Sequence, residues 1–321
     1  MRDRLRPARI ARRLSNARPG LTSLARGVLG ATRIARHTMS ARRLGLVLLF
    51  HRVAERDGDP RRELVPAVGV ERFQQQLRWT RRLFRPVAAE EILAATRSRR
   101  RWRRIPLAIT FDDESPTHTT LALPALRAEG LRATFFLTGA QLDGPSPFWW
   151  ELLQEAADRG LRTNEILPGK DIFAQAALAT AAPPSRREDL TASLSRLGAV
   201  PTACTMPPDD IRRLAAEHDI GFHTLHHHSL DTLTAAQLHA ALRDGRERLE
   251  GLVGRPLMML AYPHGAAGSR EAKAAQEAGY ALGFTTNWQP CGPYTQALLI
   301  GRIEPGPVAA GSFLRALAQA L

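Results

Sequence analysis

Two clusters of polar residues have the types and the spacing that suit metal-assisted hydrolysis. Asp112 and Asp113 are adjacent and directly follow the apolar segment 106–111. His223 and His227 lie four residues apart within a run that holds four histidines in six residues. Two neutral imidazoles and one carboxylate suit Zn²⁺ or a similar divalent ion, and they leave coordination positions for water and substrate. Side chains alternate along a strand, so the two adjacent carboxylates are expected to point to different sides. One can then bind the metal while the other accepts or donates a proton.

Each cluster also has an explanation that involves no chemistry. An Asp-Asp pair before a helix can cap that helix. A histidine run can be a solvated segment or an artificial tag. The apolar residues before the histidines and Leu230 after them argue against both explanations of the run. We therefore interpret the histidine cluster as metal-binding.

The elements that would position these residues alternate between strand and helix patterns. Short apolar runs such as 46–50, 106–111 and 134–138 are typical of strands buried on both faces. Amphipathic or glycine-terminated segments lie between them and predict helices. This alternation predicts an α/β fold of parallel βαβ units, in a barrel or an open sheet. The polar clusters follow strands, and parallel folds build their sites at the carboxyl ends of strands.

Two segments carry specific expectations that the structure can test. Residues 234–252 have leucines on related helical turns and predict one long helix. Residues 298–303 form a short apolar run and predict a last strand.

The formal net charge of +14 is concentrated in two segments. Residues 1–43 hold twelve arginines and one aspartate, and residues 97–104 hold six arginines. No base-reading module accompanies this charge, so we expect no specific nucleic-acid partner. We predict that residues 1–43 form a solvated arm, partly disordered or helical. Peripheral contact with an anionic membrane surface, or binding of a polyanion, is the alternative.

The sequence also bears on the compartment. Only two cysteines occur, Cys204 and Cys291, so a disulfide framework or a thiolate zinc site is not expected. The longest apolar run near the start, 44–50, is far shorter than the roughly 20 residues that cross a bilayer. We expect a cytoplasmic protein, or one peripheral at the inner membrane surface.

Three motifs in order give the sequence a resemblance to the polysaccharide deacetylases with a NodB-homology domain, also called carbohydrate esterase family four. The family motif T-F-D-D-G resembles residues 110–113, and H-[ST]-x-x-H-P resembles residues 223–227. A third motif, x-Y-P-Y-G, resembles residues 261–265. The ordered set is far more specific than any single motif. The resemblance covers about residues 44–305.

This resemblance implies a distorted (β/α) barrel, often seven-stranded, that hydrolyses acetyl groups on carbohydrate. Asp113, His223 and His227 would hold the metal, for which Zn²⁺ is the expected ion. Asp112 would take a proton from metal-bound water, and the backbone N–H of His264 would help to stabilise the oxyanion. The implied partner is an acetylated oligo- or polysaccharide, and the sequence leaves N- and O-acetyl groups both open.

Four positions depart from the family pattern. Glu114 replaces a glycine, and if that position needs a positive φ, the replacement costs about 1 kcal/mol or the loop differs. His228 replaces a proline, and His264 replaces an aromatic residue. Arg302 stands where many members carry a histidine that acts as general acid, yet a guanidinium is a poor proton donor. Arg302 could instead bind substrate or orient Asp112.

The departures leave two hypotheses open. In the first, the chain is a deacetylase in which His264 or His118 donates the proton to the leaving group. In the second, it is a catalytically impaired relative that still binds metal or carbohydrate. In both, residues 1–43 are the arm and residues 44–321 form the deacetylase-like domain, with a variable insert at about 161–207.

Overall fold

The computed structural model describes residues 21–143, 147–199 and 206–321. Its strands are β1 (Leu46–Phe50), β2 (Val53–Ala54), β3 (Val68–Gly69), β4 (Arg85–Pro86), β5 (Pro106–Asp112), β6 (Thr134–Leu137), β7 (Asp219–Phe222), β8 (Met259–Ala261) and β9 (Leu282–Phe284). Its α-helices are α1 (Leu21–Met39), α2 (Val70–Leu83), α3 (Ile92–Arg97), α4 (Leu123–Glu129), α5 (Trp149–Asp158), α6 (Ile172–Ala181), α7 (Pro184–Arg196), α8 (Pro208–Glu217), α9 (Ala235–Ala241), α10 (Arg246–Val253), α11 (Ser269–Glu277) and α12 (Ala310–Ala320). A π-helical turn (His118–Ala122) precedes α4, and a short 3₁₀ turn (Pro263–Gly265) follows β8.

The main sheet is parallel and has seven strands. Its order is β1-β5-β6-β7-β8-β9, and β4 pairs with the start of β5. Every residue of β1, β5 and β6 is buried, which is why these strands are continuous apolar runs rather than alternating ones. The predicted α/β fold, a distorted (β/α) barrel of about seven strands, is confirmed.

Residues 297–303 connect the two edges of this sheet. The Ile300 N–H donates to the Gly283 carbonyl of β9 over 2.8 Å, and the Ile303 N–H donates to the Val47 carbonyl of β1 over 2.8 Å. The segment bonds to β9 at Ile300 and to β1 at Ile303, so it forms no continuous ladder with either strand. The predicted strand 298–303 is therefore not a regular strand. It nevertheless links β9 to β1 and curls the sheet.

The prediction of one helix over residues 234–252 was wrong. Two helices, α9 and α10, replace it, and Gly245 between them has φ 79°. A Cβ atom on Gly245 would lie 2.8 Å from a methyl group of Leu225. The left-handed glycine therefore interrupts the helix and makes room for Leu225, which belongs to the histidine cluster.

Part of the predicted arm is a packed helix. Residues 1–20 lie outside the described part of the chain, but α1 packs along α12, with Ile34 fully buried. A Cβ atom on Gly30 would lie 2.7 Å from the backbone of Leu314, so the two helices are in close contact there. Among the described residues, no helix combines the length and apolar character that crossing a bilayer requires.

The segment predicted to be a variable insert contributes two helices beside the carboxyl ends of the strands. α6 and α7 pack against α5 through a separate apolar cluster that includes Leu153, Ala179 and Leu194. Asp171 caps α6 by accepting a hydrogen bond from the Ala174 N–H over 2.8 Å. Residues 200–205 of the predicted insert lie outside the described residues.

Candidate metal centre

Asp113, His223 and His227 bring their ligand atoms together at the carboxyl end of the sheet. Asp113 Oδ1 is 3.6 Å from His223 Nε2 and 3.4 Å from His227 Nε2. The two Nε2 atoms are 3.1 Å apart, and all three ligand atoms lie within 4.8 Å of one another. The structure thus brings together the three residues that the sequence analysis assigned to the metal.

The carboxyl ends of the parallel strands β5 and β7, which flank β6, explain this convergence. Asp113 follows β5 directly, and His223 follows β7, where its N–H donates to the Leu137 carbonyl over 2.8 Å. His223 Nδ1 lies 2.8 Å from the Ala261 carbonyl of β8. The carbonyl can only accept, so Nδ1 carries the proton and Nε2 presents a lone pair to the centre.

The donor set fits a divalent cation. Asp113 Oδ1 is buried and has no hydrogen-bond partner among the described residues, although it faces two imidazole nitrogens. Burial raises the pKa of Asp113 to about 8, the nearby charge of His51 opposes this, and the carboxylate of Asp112 adds to it. A cation between the three ligands would stabilise the ionised carboxylate and would accept the lone pair that His223 Nε2 directs at the centre.

Strained backbone is concentrated at this centre. Five non-glycine residues have positive φ among those the structure describes, and four of them are Asp113 (67°), Thr224 (62°), His227 (48°) and His264 (57°). Such conformations persist only where the surrounding structure enforces them, and they cluster at functional sites.

Glu114 does not have the positive φ that its family glycine suggested, because the left-handed residue is Asp113. The Glu114 carboxylate is buried and accepts hydrogen bonds from the N–H groups of Thr138 (2.6 Å) and Gly139 (2.7 Å). Burial raises the pKa of Glu114 to about 7, although these hydrogen bonds oppose the shift. The replacement therefore ties the loop after β5 to the loop after β6.

Asp112 is held by Arg302. Arg302 Nη1 and Nη2 donate to the two carboxylate oxygens over 2.6 and 2.7 Å, and Nε donates to the Thr285 carbonyl over 3.0 Å. Burial alone would raise the pKa of Asp112, but the adjacent guanidinium lowers it below the ordinary value. Of the two roles considered for Arg302, this geometry favours orienting Asp112 over binding substrate.

The structure does not bring His118 to the centre. The ring is fully buried between Phe111 and Phe135, with centroids 5.1 and 5.3 Å away, and Nε2 donates to the His51 carbonyl over 2.6 Å. Burial lowers its pKa to about 4. A neutral histidine that does not line the cavity cannot deliver a proton to a leaving group.

His264 does line the cavity, with its ring centroid 4.7 Å from that of His227. Burial, together with the positive charge of Arg187, lowers the pKa of His264 to about 3. The imidazole is therefore neutral at ordinary pH, which makes it a poor source of a proton.

Sequence analysis did not count His51 among the site residues, because it favoured a buried structural histidine over one that lines the barrel mouth. His51 follows β1, lines the same cavity, and places Nδ1 3.1 Å from Glu304 Oε1. Burial alone would lower the pKa of His51, but the Glu304 carboxylate raises it to about 9. Its position after a strand was a usable signal, whereas its partner lies 253 residues away in sequence.

Arg187 of α7 was also missed. Its Nη1 donates to the His227 carbonyl over 3.2 Å, while Nε and Nη2 are buried with no hydrogen-bond partner in the described structure. Burial lowers the pKa of Arg187 to about 10. No sequence pattern distinguishes this arginine from the many others in the chain.

The centre opens into a cavity of about 450 Å³. One side is apolar and comes from the insert and from α5. The lining residues on that side are Trp149, Trp150, Phe173, Ala174, Ala176 and Ala177. A cavity of this size and character accepts a small organic substrate rather than a bare ion.

A curled parallel sheet with a buried Asp-His-His cluster at the carboxyl ends of its strands defines an α/β-barrel protein with a candidate metal site. The sequence profile of the polysaccharide deacetylases matches residues 100–165 and 181–283, which is more than half of the chain. The chain belongs to the polysaccharide deacetylase family.

Solved structures share the fold. The Streptococcus pyogenes deacetylase PplD, solved in complex with acetate, is 16% identical, with a TM-score of 0.59 over 86% of this chain and 97% of that chain. IcaB from Ammonifex degensii is 18% identical, with a TM-score of 0.57 over 88% and 99%. The BpsB deacetylase domain from Bordetella bronchiseptica is 16% identical, with a TM-score of 0.53 over 82% and 96%. A comparison with curated protein sequences gives no significant match.

Proposed function

We propose that this chain is a metal-dependent hydrolase that removes acetyl groups from N-acetylated or O-acetylated carbohydrate. The observation that supports the proposal is that the two adjacent carboxylates have different partners. Asp113 faces the two histidines, whereas Asp112 is gripped by Arg302 with its Oδ2 3.8 Å from His223 Nε2. One carboxylate is thus free to be a ligand, and the other is free to accept a proton.

Asp113, His223 and His227 would hold the ion, for which we propose Zn²⁺. When bound, such an ion polarises the acetyl carbonyl and makes water a better nucleophile at neutral pH. The three side chains supply two neutral nitrogens and one oxygen, a set that zinc accepts.

Asp112 acts as the general base. Its lowered pKa keeps it ionised at neutral pH, and the bidentate contact with Arg302 fixes the direction of its remaining lone pairs. The carboxylate takes a proton from the attacking water while the water oxygen bonds to the acetyl carbon.

His51 acts as the general acid in place of His264 or His118. The Glu304 carboxylate keeps His51 protonated at neutral pH, and the ring lines the same cavity as the ligands. When the bond from the acetyl carbon to the sugar nitrogen breaks, the imidazolium gives its proton to that nitrogen. The products are acetate and a free amine, or an alcohol if the acetyl group was an ester.

Acetate release from N-acetylated oligosaccharides and from an activated aryl acetate tests the proposal. The native protein should turn over at least one of them, lose activity to a chelator and regain it with Zn²⁺. Asp112→Asn should keep the metal and lose roughly 10³-fold or more in rate. Stoichiometric metal without turnover of any N-acetyl, O-acetyl or aryl ester substrate would favour the impaired relative instead.

A further inference from the structure

The two basic segments of the sequence meet in space. The loop 97–104 packs against the carboxyl end of α1, although about sixty residues separate them in the chain. The Trp102 N–H donates to the Thr38 carbonyl over 3.1 Å, and Arg101 Nε donates to the Met39 carbonyl over 3.0 Å. One continuous surface results.

Arg99 fastens the two segments together. Its side chain is buried, and Nη2 donates to the carbonyls of His37 (2.8 Å) and Thr38 (2.9 Å), while Nη1 donates to the Arg42 carbonyl. These are carbonyls at and beyond the end of α1, where a cation is favoured. These hydrogen bonds therefore fix the position of the loop 97–104 against the end of α1.

The surface carries positive charge without compensation. Neither 21–43 nor 97–104 contains an Asp or Glu. Among the described residues, no arginine of these two segments forms an ion pair with an acidic side chain. We call this surface the basic face, defined by its exposed residues Arg36, Met39, Arg42, Arg43, Arg100, Arg101, Trp102 and Arg103.

Apolar side chains project from the basic face and from the outer side of α1. Trp102 is 64% exposed and Met39 is 40% exposed, while Val28 and Leu29 on α1 are 60% and 70% exposed. Trp102 also has φ 68°, a conformation that a bulky residue adopts only at a cost. Folding alone would favour glycine or asparagine there, and the Arg101 guanidinium lies 5.3 Å from the ring centroid, so the face presents an apolar and a charged group side by side.

Strand direction places the basic face relative to the metal centre. The loops that precede β1 and β5 belong to the amino ends of the parallel strands, whereas Asp113 and His223 follow the carboxyl ends. The seven residues of β5 alone span about 20 Å. The basic face is thus at the end of the barrel opposite the cavity.

We propose that the basic face docks on an anionic lipid bilayer, with Trp102 inserted at the headgroup level and the cavity directed away from the membrane. Arginines near the surface attract anionic lipid, and tryptophan prefers the interface between headgroups and acyl chains. A nucleic acid would also attract the arginines, but it would not account for the exposed apolar side chains of Trp102 and Met39 among them. The inference is independent of the proposed function.

Sedimentation of the full chain with vesicles tests the docking. The vesicles contain phosphatidylcholine alone or with about one third phosphatidylglycerol. We expect binding only to the anionic vesicles, and weaker binding as salt increases. The triple variant Arg43→Gln, Arg100→Gln, Arg103→Gln should bind about fivefold more weakly for each charge removed, or about a hundredfold in all. The matched control Arg162→Gln, Arg196→Gln, Arg212→Gln makes the same charge change elsewhere and should bind like the native protein.

Trp102→Gly separates a membrane from another polyanion. Glycine is favoured at φ 68°, so the variant should be at least as stable as the native chain, yet it should bind vesicles several-fold more weakly. Brominated lipids should quench tryptophan emission less in this variant. If the triple variant binds vesicles as the control does, the proposal is overturned. A second result would also overturn it. In that result, Trp102→Gly binds vesicles as tightly as the native chain does, and the triple variant loses the same factor in affinity for vesicles and for duplex DNA.

Discussion

Arg302 holds both carboxylate oxygens of Asp112, although 190 residues separate them in the chain. The pair is buried, and every nitrogen of the guanidinium has a partner. Arginine is suited to this role because its planar fork matches a carboxylate, which lysine cannot do. The geometry thus explains how an arginine in place of a histidine is compatible with a working base.

Arg302→Lys should lower kcat/KM by about a hundredfold, because the charge remains but the two-point grip on Asp112 is lost. Burial raises the pKa of Asp112, and a lysine would oppose this effect less than the guanidinium does. The pKa of Asp112 should therefore rise, and the acidic limb of the pH–rate profile should move to higher pH. Steady-state rates across pH check both effects. Arg213→Lys, an exposed control, should leave the profile in place, and an unmoved limb in Arg302→Lys would argue against a positioning role.

His51→Gln should slow amide hydrolysis by about 10²–10⁴-fold, the range expected for loss of a general acid. An activated aryl acetate needs little help with its leaving group, so its turnover should fall by less than about tenfold. Parallel assays on the two substrates give the ratio directly. Equal losses of rate on the amide and on the aryl acetate would show that His51 is not the general acid. His118→Gln is the matched control, and it should change the two rates by the same factor.

The ion pair of His51 with Glu304 should also make stability depend on pH. The pKa of His51 is raised from 6.5 to about 9, so the folded chain binds the proton more tightly than the unfolded chain. This contribution is fully present below pH 6.5 and is lost as pH rises through about 9. Denaturant titrations of the native chain and Glu304→Gln should therefore differ at about pH 6 and converge at about pH 10. A difference that grows with pH would contradict the assignment.

Zinc should stabilise the native chain against heat. An ion at one hundred times its Kd adds about 2.7 kcal/mol, which corresponds to roughly 5–10 °C in Tm for a domain of this size. Asp113→Asn and His223→Ala each remove a ligand and should lose most of this increase, as scanning calorimetry with and without Zn²⁺ would record. His226→Ala, in the same histidine run but outside the cluster, should keep it.

Two buried arginines should respond to the same substitution in opposite directions. Arg99 uses its donors on carbonyls, so Arg99→Met should lower the free energy of unfolding by about 2–4 kcal/mol. In the part of the chain that the structure describes, two nitrogens of Arg187 have no hydrogen-bond partner, so Arg187→Met should raise the free energy of unfolding by about 1–3 kcal/mol. If Arg187 is retained to hold the His227 carbonyl, the gain comes with weaker Zn²⁺ binding. Equal destabilisation in both variants would show that Arg187 has partners.

Most of the strands were predictable because each is a buried apolar run with a polar residue at its end. The same rule located Asp113, His223 and His227, since each follows such a segment. It also applied to His51, whose role depends on a glutamate 253 residues later that no local pattern identifies. The break at Gly245 was not predictable from helical periodicity, because it depends on packing against Leu225.

The strip of chain from residue 297 to 304 joins the edges of the sheet and carries the partners of the two residues that we propose as base and acid, Arg302 for Asp112 and Glu304 for His51. Inserting or deleting one residue there would shift both partners at once. A change of register between this strip and the edges of the sheet would therefore displace the partners of the proposed base and the proposed acid together. Mutational tolerance should therefore be lowest in this stretch, which shows no regular secondary structure.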